Sequence, residues 1–410
     1  MKKSLFPANW QEYTIADCLR RIEHPVDVDP TTLYTQIGIR SHGKGLFYKE
    51  PVTGESLGNK AVYWIEPDCF ILNIVFAWEQ AISKTTQAEV GMIGSHRFPM
   101  YKPVDNIVDI DYLIFYLLTK RGTDILEAAS PGGAGRNRTL GQDRFLRSKI
   151  MLPPIAEQKK IAAILTTQDK VIELKEKRLA EKQRQKKYLM QQLLTGKKRL
   201  NGFEGEWSCV KFDTLFEILP NNTYSREFMT TDNGTIHNIH YGDILVKYGS
   251  IIDFSQQDVP YLTDATTVDS SSYLCDGDII IADTAEDLSA GKAVEIYGLN
   301  GQKAVAGLHT MAWRPITADC VPKWLGFYMS SDAFHDQIKP LICGTKVSSI
   351  SKKEIVKTTI AIPTKGEQEA IIDILTSADN ELSLLQQDLD QEKQKKKALM
   401  QLLLTGKARV

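Results

Sequence analysis

The chain has no stretch able to cross a bilayer, no paired cysteines and almost no net charge, and each absence removes a class of protein. Its longest uncharged apolar run, about ten residues at positions 69–78, is far short of the ~20 that a membrane helix needs. The opening MKKSLFPANW has two lysines but no apolar segment after them, so it does not read as a secretory signal. Six cysteines (Cys18, Cys69, Cys209, Cys275, Cys320 and Cys343) are scattered over 410 residues without a CxxC pair. That argues against a zinc ribbon or a disulfide scaffold, and for reduced thiols in a cytoplasmic protein.

Catalytic signatures are missing too. Residues 38–45, GIRSHGKG, approach a phosphate-binding loop, but Gly45 stands where a magnesium-holding Ser or Thr is needed and no helical pattern follows. Pro67, Asp68 and Glu79 resemble a nuclease carboxylate set, except that Ala81 replaces the required Lys; residues 69–78 read instead as a buried strand. His237 and His240 are three apart with no carboxylate between them, which suits a turn better than a metal site. There is no GxSxG and no glycine-rich or Asn-Pro-Pro-Phe-like signature of an S-adenosylmethionine methyltransferase. No catalytic centre or metal site is expected.

What the chain does have is a stretch that occurs twice. Residues 150–199 begin IMLPPIAEQKKIAAIL and residues 360–409 begin IAIPTKGEQEAIIDIL; both end in LLTGK, and a shift of 210 superposes them without a gap. In steps of four and three, the second copy gives Ile371, Leu375, Ala378, Leu382, Leu385, Leu389, Glu392, Lys396, Leu399 and Leu403, eight of ten apolar. The first copy gives Ile161, Leu165, Gln168, Ile172, Lys175, Leu179, Lys182, Lys186, Leu189 and Leu193, six of ten. An apolar repeat of 3.5 residues over four heptads makes one stripe on a helix, buried most easily against another long helix. Pro153 and Pro363 precede the helices, and the Thr-Gly after the last leucines suits a left-handed helix end.

Two globular segments, 1–150 and 200–360, precede these helices (151–199 and 361–410). Each opens on a Trp, Trp10 or Trp207. Strands are expected near 33–39, 60–65 and 70–76 in the first, with a helix from Asp109; and near 243–247, 278–282 and 292–296 in the second, with a helix from Lys323. The class is α+β, with 42 % hydrophobic and 25 % charged residues as in an ordinary globular protein. Net charge is −1, but residues 151–200 hold 13 basic against 5 acidic residues and residues 201–360 hold 12 against 21. A polyanion, or an acidic protein, would be drawn to the first helix.

Polar loops lead from each globule into its helix. In the first, Gly132, Gly133 and Gly135 precede Arg136, Asn137, Arg138 and Thr139, groups able to donate to bases and phosphates. Arg40, His42 and Lys44, and Ser95, His96 and Arg97, are similar clusters. In the second globule the matching loop carries Thr345, Lys346, Ser348 and Ser349.

Two variable globules, each followed by Pro, Glu-Gln, a long helix and Leu-Leu-Thr-Gly-Lys, resemble the specificity subunit (HsdS) of type I restriction-modification systems over essentially the whole chain. The resemblance implies two target-recognition domains that each read half of a split double-stranded DNA sequence. They would be separated and bridged by two antiparallel coiled-coil helices in a pseudo-twofold internal repeat. It also implies two docked methyltransferase (M) subunits carrying S-adenosylmethionine for adenine N6 methylation. Restriction (R) subunits would supply ATP- and magnesium-dependent translocation and cleavage. A helix of roughly 50 Å over ~3.4 Å per base pair would set the half-sites on the order of 15 bp apart. The acidic second globule departs from this picture; a small DNA face of Lys247, Tyr248, Lys292, His309, Lys346 and Lys352 is expected there. A coiled-coil protein scaffold, or a self-contained methyltransferase or nuclease, are the competing readings.

Overall fold

The computed structural model describes residues 6–132, 138–263, 267–344 and 346–410. Two compact units emerge: Met1–Lys177 with Gln387–Val410, and Arg178–Gln386. Each unit therefore contains one globule, the start of one long helix and the end of the other.

In the first unit an antiparallel sheet runs in the order Leu19–Ile22, Met100–Pro103, Phe70–Leu72, Ile82–Lys84. Helices Ile110–Leu117 and Lys120–Ala129 cover it. One core results, in which Phe70, Tyr112, Leu117 and Phe145 meet Ile161 and Leu165 of the first long helix and Leu403 and Leu404 of the second. In the second unit the main sheet runs Phe216–Leu219, Thr310–Pro315, Ile279–Ala282, Ala293–Tyr297, Ile251–Asp253. Beneath it Phe212, Trp313 and Trp324 meet Leu193, Ile371 and Leu375.

The globules are more alike than their sequences suggest. Strand Gln11–Thr14, helix Ile15–Cys18 and strand Leu19–Ile22 recur as Ser208–Lys211, Phe212–Leu215 and Phe216–Leu219. The opening strand pairs with the strand entering the long helix in both: Gln11↔Leu152 and Ser208↔Ile362.

Both long helices have 39 residues, Ile155–Leu193 and Lys365–Leu403; the first starts six residues before the Ile161 expected from the apolar stripe. None of the twenty seam positions is exposed. Ile161, Leu165, Leu179, Leu193, Ile371, Leu375, Leu389 and Leu403 are buried, while Ile172, Leu189, Leu382, Leu385 and Leu399 are half-buried. The polar seam positions meet the other helix within each unit. In the first, Gln168 Nε2 donates to Glu392 Oε2 (2.6 Å) and Lys175 Nζ to Asp388 (2.6 Å). In the second, Lys182 pairs with Glu381 (2.9 Å) and Lys186 with Asp379. Partner numbers fall as helix numbers rise, so the pairing is antiparallel in both units. Half-exposed pairs of this kind add at most about 1 kcal/mol each, so the leucines hold the seam while the charges fix its register.

The repeated Glu-Gln anchors each helix. Gln158 and Gln368 are fully buried. Gln158 Nε2 donates to the carbonyls of Ile107 (2.8 Å) and Pro153 (2.9 Å), and its Oε1 accepts from Asp109 N–H (3.0 Å). Gln368 does the same with Asp319, Pro363 and Val321. Glu157 takes a two-pronged bond from Arg409 (2.6 and 2.8 Å) and Glu367 one from Arg199 (2.6 and 2.7 Å). The residue two beyond each LLTGK thus neutralises the buried glutamate at the start of the opposite helix.

Several sequence expectations change. Residues 70–76 form a strand only at Phe70–Leu72; a turn and a 3₁₀ helix, Ala77–Glu79, follow. Residues 243–246 lie in a helix, Tyr241–Val246, with Lys247 just past its end, rather than in a strand, because His240 caps it: its Nδ1 accepts from Gly242 N–H (3.1 Å). The strands near 279 and 293 and the helices after Asp109 and Lys323 are present. Among the described residues no helix is long and apolar enough to cross a membrane.

Candidate nucleic-acid interface

In the first unit three separate sequence clusters converge on the segment 73–80. The hairpin between Ile37–Ile39 and Leu46–Tyr48 turns through His42, whose φ of 60° lets the turn lie back. His42 and Gly43 N–H then reach the carbonyls of Glu79 and Gln80 (2.8 and 2.9 Å), and Ser41 Oγ donates to the Glu79 carboxylate (2.9 Å). The second turn is tied on by Ile74 N–H to Arg97 O (3.0 Å), with Ser95 Oγ accepting from Arg97 N–H (3.3 Å). The third arrives through Leu140 N–H to Ile74 O (2.8 Å), and the Arg138 guanidinium lies over the Trp78 ring at 5.2 Å.

His42, Lys44, His96, Arg97 and Thr139 are exposed and Ser95 half-exposed. Arg40 is exposed too, folded back on its own hairpin with its guanidinium over the Phe47 ring at 5.1 Å and bonded to Leu46 O. Arg136 and Asn137 lie outside the described residues, as do Gly133 and Gly135. Between the second turn and Lys49 and Lys60 is a cleft of about 380 Å³, also lined by Gln36, Asn73 and Phe76. Lys49 and Lys60 carried no sequence signal: they sit eleven positions apart and only the strand pairings of this unit bring them together.

In the second unit four of the expected residues are engaged by the fold itself. Tyr248 is 3 % exposed, and burial pushes its phenol above the ordinary range, so it is a core residue. Lys292 is half-buried, with Nζ donating to the carbonyls of Leu245 (3.2 Å) and Tyr248 (2.9 Å). It closes the end of helix Tyr241–Val246, and burial lowers its pKa. Lys247 is bonded to Asp258 O and lies over the Tyr248 ring. Basic residues expected from sequence to meet DNA are here spent on backbone carbonyls. Ser348 is buried as well, in a short strand paired with Thr284–Ala285.

His309, Lys346, Ser349 and Lys352 remain exposed; Thr345 lies outside the described residues. Asp283 brings part of this set together: its N–H donates to His309 O (3.1 Å) and its carbonyl accepts from Ile350 N–H (2.9 Å). The Tyr241 ring stands edge-on to His309 at 5.2 Å. His240 is held below its ordinary pKa by burial and then by the Arg226 cation. His237 bonds Val259 O (2.7 Å) and Gln302 Oε1 (2.8 Å) and stacks on Tyr261, a packing role. Among the described residues no group of three or more His, Cys, Asp or Glu could hold a metal.

Each unit thus presents polar turns with exposed donors, and each repeats the helix anchors. Comparison with known proteins gives this arrangement a family. The model of the type I restriction modification DNA specificity domain matches residues 53–183 and 204–393, once in each half. The MjaVIII type I restriction enzyme specificity subunit of Methanocaldococcus jannaschii is 28 % identical over 65 % of this chain. The chain spans 63 % of that protein's length. A putative MjaX specificity subunit of the same organism is 24 % identical over 76 % of this chain and 71 % of its own. Among solved structures, the HsdS subunit from Thermoanaerobacter tengcongensis aligns over 98 % of both chains with a TM-score of 0.50 and 17 % identity. A chain of a type I R-M system solved for its complex assembly and conformational transition aligns over 98 % of this chain and 99 % of its own, with a TM-score of 0.60 and 17 % identity. At such identities these likenesses speak to the fold, whereas the family match covers well over half the sequence: the chain belongs to the type I restriction modification DNA specificity family.

Proposed function

We propose that this chain is the sequence-reading, non-catalytic subunit of a type I restriction-modification complex. Each globule reads one half of a bipartite DNA target. The two long helices form an antiparallel coiled coil that bridges the readers, sets the unread gap and docks two methyltransferase subunits. S-adenosylmethionine, ATP and magnesium belong to the methyltransferase and restriction subunits, and this chain supplies the address.

The observation that carries the reading is the doubling. The family match falls once on each half, and each half presents exposed donors on turns above the same Glu-Gln and Arg anchors. Two readers on one duplicated frame suit a split target, since sequence is read by side chains reaching base edges while the frame fixes register. The second unit, with its acidic excess and committed lysines, favours the scaffold alternative most.

A map of methylated adenines in the host genome, with this gene present and deleted, tests the proposal. Loss of one split motif with a fixed gap is the expected result. An unchanged map while the methyltransferase subunit is present and active would favour a scaffold that reads nothing.

A further inference from the structure

Resting on that reading, we propose that the cleft of the first unit takes an acceptor-only surface of DNA, the N7/O6 edge of guanine or a backbone phosphate.

The argument starts from what the cleft's cations do. Lys49, Lys60 and Arg97 are exposed, and none of their side chains has a hydrogen bond or ion pair among the described residues. No Asp or Glu lines the cleft. Two carboxylates of this unit are occupied elsewhere: Glu79 by Ser41, and Glu89 by Tyr48 and the Thr86 N–H. Asn73 spends its Oδ1 on Val75 N–H (3.0 Å), which leaves its amide hydrogens to point elsewhere. Lysine and arginine only donate, so three free cations and an amide around one hollow are matched by a ligand that only accepts. Guanine offers two such atoms side by side in the major groove and phosphate offers several, whereas the exocyclic amines of adenine and cytosine would meet donors with donors.

In the second unit four cations are committed within the fold, while Lys346 and Lys352 stay exposed. Lys247 and Lys292 are bonded to carbonyls, Arg226 to Asp243 (2.9 Å) and Arg314 to Asp278 (2.7 Å).

The test uses the full chain in complex with its methyltransferase subunits and duplexes carrying the motif identified by the methylation map. Lys60→Ala and Arg97→Ala, both at exposed positions, are compared with Lys247→Ala. If guanine is the ligand, the first two weaken binding about ten- to hundredfold and relax the motif at a guanine of one half-site. Replacing that guanine by 7-deazaguanine then reproduces the loss in the wild type and adds little to Arg97→Ala. If phosphate is the ligand, binding weakens alike on all sequences and the salt dependence falls by about one per cation removed. Methylphosphonate linkages then mimic the variants. Either outcome supports the cleft, with Lys247→Ala near wild type in both. The inference is overturned if the Lys60 and Arg97 variants keep wild-type affinity, motif and salt dependence. A wild-type complex that binds no duplex selectively would instead overturn the DNA-reading role itself.

Discussion

Gly196 and Gly406 occupy the same place in the two copies and have left-handed φ of 67° and 70°, yet their surroundings differ. A Cβ at Gly406 would lie 2.4 Å from Pro7 Cδ, whereas at Gly196 the nearest atom, in the Trp207 ring, is 3.7 Å away. Alanine at 196 should therefore cost only the left-handed conformation, about 1 kcal/mol. Alanine at 406 adds a clash with a stiff proline ring and should cost more, on the order of 2–3 kcal/mol. Urea unfolding of the two variants checks this, and equal losses would show that Pro7 yields freely. The helix-ending role of these glycines is legible in the sequence, because a single residue type answers a local steric demand. The roles of Glu157, Gln158 and Arg409 are visible there only as repetition. Their partners lie tens to hundreds of positions away, and no periodicity encodes a contact between Glu157 and Arg409.

At the scale of elements, the heptad stripe is legible because it depends on helix geometry alone, while helix Tyr241–Val246 is not, because a six-residue helix depends on its cap. Helix Trp324–Met329 shows another device that the sequence conceals. Glu295, on a central strand, is 2 % exposed and accepts Gly326 N–H at 2.8 Å and Lys323 N–H at 2.5 Å. Burial pushes its carboxyl up to about 7, with the two backbone donors opposing. The folded pKa lies above the ordinary 4.5, so its contribution to stability is full below about 4.5 and is lost as pH rises through 7. Wild-type stability should accordingly decline between pH 5 and 8 relative to that of Glu295→Gln, whose side chain does not titrate. Parallel pH curves for the two proteins in thermal unfolding would exclude this role for Glu295.

For the whole molecule, the duplication makes a prediction about continuity. Trp207 packs on Gly196 just before it in the chain, and in the first unit Trp10 packs on Gly406, with Pro7 beside it. The join that is covalent in one copy is made by contact alone in the other. The sequence displays the repeat but hides this closure, since the openings match at a shift of 197 and the helices at 210. A chain with residue 410 linked to residue 1 and opened between Gly202 and Gly205 should therefore fold with the same two cores. Those glycines have left-handed φ of 88° and 93°, and a Cβ added at either would meet nothing within 4 Å, so a cut beside Glu204 disturbs only local contacts: Phe203 near Gly366, Phe203 N–H to Leu200 O (3.2 Å) and Arg199 Nη1 to Gly205 O (2.6 Å). The anchor Arg199–Glu367 would then lie close to the new opening. Under the proposed role, the expected result is methylation of the unaltered split motif with the same gap, at a melting temperature within a few degrees of the parent's. Retained folding with a changed gap would mean that the covalent link at 200–207 itself sets the spacing. In that case a few residues inserted near Thr195 and Arg199 should lengthen the gap while leaving both half-sites as they were.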